Sequence, residues 1–180
     1  MNRWEIWALP PLLAAASTVC IAETYLSTEQ AQQALFPEAM SFEKVPLTLT
    51  PHQRKTISKI SNTRTPLPTD RIWEARTGDR RLGYFIVDEV YGKHEFITYA
   101  AAIDADGSLL GIEIMDYRES KGGEVRDPAW RRQFIGKRNG DAFKLDKDIT
   151  NISGATMSCK HLADGAKRLL ALHEQILKSR

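Results

Sequence analysis

Asn151 to His161, "NISGATMSCKH", carries the residues of this chain with the clearest chemical potential. Ser153-Gly154-Ala155-Thr156 places two hydroxyls and two small residues just before a helical pattern. A helix start leaves backbone N–H groups unpaired and carries partial positive charge. It is therefore an anion site, above all for phosphate. Gly154 and Ala155 keep the approach clear, and Ser153 and Thr156 add hydroxyl donors. On spacing alone the ordinary alternative is a helix cap. Lys160, one turn on, offers either a cation for that anion or a solvated surface charge.

Other reactive groups are sparse. Cys20 and Cys159 are the two cysteines. With one of them in the N-terminal apolar run, no internal disulfide or cysteine zinc site can form, and Cys159 reads as a small buried hydrophobe or a free thiol. No CxxC occurs, no Ser/His/Asp or Cys/His array stands out, and no GxGxxG follows a strand. His161 reads as a helix-surface residue and His173 as a filler on the helix face, neither with a visible metal partner. No catalytic or metal-ligating residue is therefore assigned.

The elements that must position the motif follow from periodicity. "STEQAQQALFP" is a short helix opened by Ser27 with Gln30 or by Thr28, and stopped by Pro37. In "TPHQRKTISKI", Thr50 is the cap, Pro51 the first helical residue, and Ile57 and Ile60 face inward. Four β-rich runs come next, Arg71–Arg76, Leu82–Tyr91, His94–Ile103 and Leu109–Tyr117, with turns at Gly78, Gly92-Lys93 and Asp106-Gly107. Strict alternation in the last run sets Ile112, Ile114 and Asp116 against Glu113, Met115 and Tyr117. Gly122-Gly123 makes a loop able to approach a ligand closely. Asp127-Pro128 opens a short helix ending near Gly136. From Thr156 to Leu177, Leu162, Ala166, Leu169, Leu170, His173, Ile176 and Leu177 form an apolar face, with Lys160, Asp164, Lys167, Arg168 and Glu174 opposite. The fold class is α+β: an antiparallel β-meander packed against helices that cover one sheet face, with a long C-terminal helix.

The 180 residues, 42% hydrophobic and 27% charged, suit one globular domain. A net charge of +2 with mixed signs and no basic stripe argues against nucleic-acid partners. The N-terminus differs from the rest: Arg3 precedes an apolar run from Ala8 to Ala22, and Cys20 and Ala22 are the small residues a signal peptidase reads. Residues 1–22 are expected to be a secretory signal peptide, residues 23–70 a helical segment packed on the domain, and residues 71–180 the domain itself. Pro10-Pro11 breaks the run, which is short for a membrane span. An uncleaved segment would act as an anchor. The expected location is periplasmic or otherwise exported.

Several segments share one resemblance. Ser153-Gly154-Ala155-Thr156, with Met157-Ser158 after it, resembles the flavinylation motif of the FMN-binding domain family. That family includes the covalent-flavin subunits of the sodium-pumping NADH:quinone reductase and of the Rnf complex. "DADGSLLGIEIMDYRES" is similar to the family's strand–Asp-Gly–strand segment, leading to an acidic residue and a Gly-rich loop, here Glu119 and Gly122-Gly123. "WRRQFIGK" is similar to its Gln-Phe-x-Gly-Lys helix, here Gln133, Phe134, Gly136 and Lys137. Where the family commonly carries Asp three residues before the serine, this chain has Thr150, and the nearest acid is Asp148. The resemblance implies FMN as cofactor, esterified through its phosphate to Thr156 by a flavin transferase that takes FMN from FAD. It implies Ser153, Gly154, Ala155, Glu119, Gly122, Gly123, Gln133 and Lys160 as candidate partners of the flavin, and Tyr117, Met115, Trp130 and Phe134 as candidate walls for its ring. The expected protein is an exported electron-transfer flavoprotein with membrane or exported redox partners, a carrier rather than a substrate-converting enzyme. An exported FMN-dependent reductase of a small substrate, or a binding module that has lost flavin, are the alternatives.

Overall fold

A computed structural model describes residues 25–63 and 66–180. The expected signal peptide, residues 1–22, lies outside the described residues. Five strands form one antiparallel sheet in chain order, β1 (Ser41–Lys44), β2 (Ile72–Thr77), β3 (Arg80–Tyr91), β4 (Phe96–Asp104) and β5 (Leu109–Tyr117). Around it lie α1 (Thr28–Leu35), α2 (Pro51–Ser61), the short α3 (Pro128–Arg131) and the long α4 (Thr156–Leu172), which runs on as a wider turn to Leu177. Among the described residues no helix is long and apolar enough to cross a membrane.

The α+β meander matches the sequence expectation, with corrections. Helices cover both sheet faces, not one. α2 and α4 pack on the face bearing Ile86, Tyr99 and Ile112. On the other face α1 sets Ala31, with Phe36 after it, among Phe85, Val87, Ala100 and Met115. β1 is an added edge strand, paired to β2 from Ser41↔Arg76 to Lys44↔Trp73. Strict alternation in β5 also fails. Thr98 pairs with Asp116 and Tyr99 with Ile114, so Met115 is a bulged extra residue. The bulge flips the side-chain parity. Met115 stays on the α1 face, while Tyr117 turns to the α4 face beside Ile112 and Ile114.

α4 holds the sheet by two devices. Gly165 costs about 1 kcal/mol in a helix interior. In return the helix approaches closely: a Cβ there would lie 2.9 Å from Val90 Cγ1 and 3.2 Å from Tyr99 Cζ. Three residues on, Arg168 points inward rather than to solvent. Its guanidinium pairs with Asp88, which also accepts from Tyr99 Oη at 2.7 Å, and all three are buried. Burying paired charges is acceptable only with satisfied partners, so this triad fixes where α4 sits.

Candidate functional site

The site is built around the start of α4. Ala155, not Thr156, occupies the N-cap position, and no side chain caps the helix. Thr156 is the first helical residue. The first intrahelical bond is Cys159 N–H to Ala155 O at 3.0 Å. The amides of Thr156, Met157 and Ser158 therefore have no acceptor one turn back. Gly154 takes a left-handed φ of 80°, which turns the chain sharply into the helix. Ser153, Gly154 and Thr156 are exposed, and Ala155 is buried.

The loop after β5 supports this start from below. Gly122 adopts a left-handed φ of 86° and packs so closely on Ala155 that a Cβ would overlap the Ala155 methyl and come within 2.7 Å of Tyr117 Oη. Tyr117 Oη donates to Lys121 O at 2.5 Å and lies 3.4 Å from Ser158 Oγ. Burial pushes the Tyr117 phenol above its ordinary pKa, so it stays a protonated donor. Tyr117, turned by the bulge, thus ties β5, the loop and the first turn of α4 together.

From the side the motif is held by α3 and the turn after it. Trp130 Nε1 donates to Thr150 O at 2.8 Å, and Gln133 Oε1 accepts from Thr150 N–H at 2.6 Å. Gln133 Nε2 in turn donates to Trp130 O at 2.8 Å. Phe134 is fully buried, its ring 5.2 Å from that of Trp130 and 6.2 Å from that of Phe143.

Two adjoining cavities result, sharing Ser120 and Lys121. One of about 350 Å³ lies in front of the helix start and is lined by Lys93, His94, Glu119, Lys121, Thr156 and Met157 among others. The second, about 790 Å³ and more open, runs over Gly122, Gly123, Arg126 and Ser153. Thus Thr156, Ser153, Gly154, Ala155, Glu119, Gly122 and Gly123 come together. The other expected residues take different places. Tyr117 lies beneath the loop. Gln133 and Phe134 support the motif from behind, because their polar and apolar groups are already taken up by Thr150 and the core. Met115 faces α1 on the opposite side of the sheet. Lys160 pairs with Asp164 at 2.7 Å on the helix surface and lines a different cavity. Trp130, with its indole N–H taken by Thr150, is likewise buried. Conversely, Lys93, His94 and Lys121 line the front cavity without having been expected there. Their only sequence signal was a Gly-Lys turn and a polar loop.

Residues 92–171 match the family model described as FMN-binding domain. This part of the chain belongs to the FMN-binding domain family. FMN is the cofactor of that domain. Its fold also recurs in solved structures. The crystal structure of the NqrC component of the Na(+)-translocating NADH-quinone reductase from Parabacteroides distasonis is similar over 86% of this chain and 86% of its own, with 15% identity and a TM-score of 0.54. NqrC of Shewanella oneidensis is similar over 73% of this chain at 17% identity and a TM-score of 0.47. The aligned region spans 65% of that Shewanella chain. At these identities the likeness is one of fold. No curated protein matches the chain.

The residues present fit FMN. Three free amides and the exposed Thr156 hydroxyl suit a phosphate, and a front cavity of about 350 Å³ falls within the size of a small-cofactor site. Lys121 and Lys93 add cations at its rim.

Proposed function

We propose that this chain is an exported electron-transfer flavoprotein whose FMN is joined by a phosphoester to Thr156. One observation carries the reading: in an FMN-binding domain, Thr156 is the first residue of an uncapped helix and opens onto a cavity. The attachment is a group transfer supplied by a flavin transferase. A bond forms between Thr156 Oγ1 and the FMN phosphorus as the pyrophosphate bond of FAD breaks. AMP leaves, and the threonine proton passes to a base or solvent. The three free amides offset the charge of the ester.

FMN supplies the redox chemistry when bound. The chain's own residues do the rest. Thr156 holds the phosphate, Gly122 and Ala155 shape the approach, and Tyr117 fixes loop and helix to each other. The fold likeness to a component of a Na(+)-translocating NADH-quinone reductase supports membrane redox partners for this chain too. The N-terminal apolar run with Cys20 and Ala22 supports export.

The test is co-expression of the full chain with a flavin transferase, followed by acid precipitation. Colour that stays with the pellet, and a chain recovered outside the cytoplasm, support the reading. A colourless chain would remove it, and colour released to the supernatant would leave FMN bound without the ester.

A further inference from the structure

We propose that Glu119 is a positioning residue of the flavin site, clamping the β3–β4 hairpin tip, Gly92–Glu95, so that Lys93 and His94 form one wall of the cavity before Thr156. The inference rests on the FMN reading above and adds to it what holds that wall in place.

The observation is a single oxygen with three donors. Glu119 Oε1 accepts from the successive amides of Lys93, of His94 at 2.6 Å and of Glu95 at 3.1 Å. Converging backbone N–H groups of this kind form a nest that attracts an anion. Here the anion is a side chain of the protein itself, from the loop that also shapes the cavity floor. The tip has little else to hold it. Gly92 N–H donates to Glu95 O at 2.8 Å and Tyr91 Oη to His94 O at 2.8 Å, while Lys93, His94 and Glu95 are exposed.

Gly92 makes the same point from the other side. It is buried, and a Cβ built on it would overlap Glu119 Oε1 and lie 3.1 Å from Cδ. It is not among the residues of positive φ, so the glycine is needed there for space and not for backbone freedom. Partial burial raises the Glu119 carboxyl pKa, but the three amide bonds outweigh it and hold the group below its ordinary value. The carboxylate is therefore charged at neutral pH, as the nest requires. With Oε1 committed to the tip, Glu119 acts on the flavin through Lys93 and His94.

The test uses the full-length chain without a transferase, titrated with FMN and followed by quenching of flavin fluorescence. Glu119→Ala and Gly92→Ala should each weaken binding about tenfold, the size of one lost hydrogen bond to a charged group. The double variant should be no weaker than either alone, because both remove the same clamp. Glu119→Gln, which keeps an acceptor oxygen on the same stem, should recover most of the affinity. In parallel, amide exchange at Lys93, His94 and Glu95 should speed up in both alanine variants with the melting temperature unchanged. Wild-type affinity in the alanine variants, or losses that add in the double variant, would overturn the inference. If the wild-type chain binds no FMN, the flavin reading fails, and the exchange measurement still decides whether the clamp exists.

Discussion

The helix starts of this molecule differ in kind. α1 opens with a reciprocal capping box: Ser27 Oγ accepts from Gln30 N–H at 3.2 Å and Gln30 Oε1 from Ser27 N–H at 2.8 Å. α2 repeats the arrangement with Thr50 and Gln53. α3 is capped by Asp127, which accepts from Ala129 N–H at 2.8 Å. α4, the longest helix described, has hydroxyls on both sides of its start and uses none of them as a cap. Ala155 stands at the N-cap, and Ser158, where a capping box would need Glu or Gln, is buried beside Tyr117. A cap closes the amides that a phosphate needs. The first three helices are closed for stability, while α4 is left open at its start and anchored through its interior.

That contrast can be broken in its parts. The largest effect belongs to the interior of α4. Arg168→Ala leaves Asp88 buried without its cation, and should cost about 3–5 kcal/mol in denaturant unfolding. FMN uptake per folded molecule should stay unchanged. Next, Thr50→Ala removes a closed start and should cost about 1 kcal/mol by the same measurement.

The third effect is a slope. His173 is buried where α4 passes into its wider turn, edge-on to Tyr84 with ring centroids 5.8 Å apart, and neither ring nitrogen has a hydrogen-bond partner. Burial holds its pKa below the ordinary imidazole value of 6.5, with the nearby Lys178 and Arg81 acting in the same direction. The unfolded chain then binds the proton more readily than the folded one. His173 therefore favours folding fully above pH 6.5, and that contribution is lost as pH falls through the folded-state value. A His173→Phe chain should show a shallower loss of melting temperature on acidification below pH 6.5. The smallest effect is expected at the open start. Thr156→Ala caps nothing, so in the absence of flavin it should change stability by less than about 0.5 kcal/mol. A loss near about 1 kcal/mol would show Thr156 to be a cap after all.

What could be read in the sequence was local. Ser27/Gln30, Thr50-Pro51 and Asp127-Pro128 mark helix starts because their capping bonds span three residues or fewer. The last four strands are marked by their turns. β1 escaped because "SFEK" is a four-residue, mostly exposed edge whose only strand partner is β2. The inward turn of Arg168 depends on Asp88, 80 positions away. The bulge at Met115 leaves no mark in composition, yet it decides that Tyr117 supports the site while Met115 does not. At the site, the motif around Thr156 was legible because its residues are contiguous. Lys93 and His94 were not, because a carboxylate 25 positions further on draws them there. Gln133 and Phe134 were legible as part of the motif set, but their role as supports for Thr150 depends on packing that no spacing reveals.

The central claim is that the open start of α4 carries FMN on Thr156. The most direct measurement is the intact mass of the full chain and of Thr156→Ala, each co-expressed with a flavin transferase and FAD. The account predicts that wild type gains the mass of one FMN as an ester and that Thr156→Ala gains nothing. An unchanged wild-type mass, or an equal gain in Thr156→Ala, would contradict it.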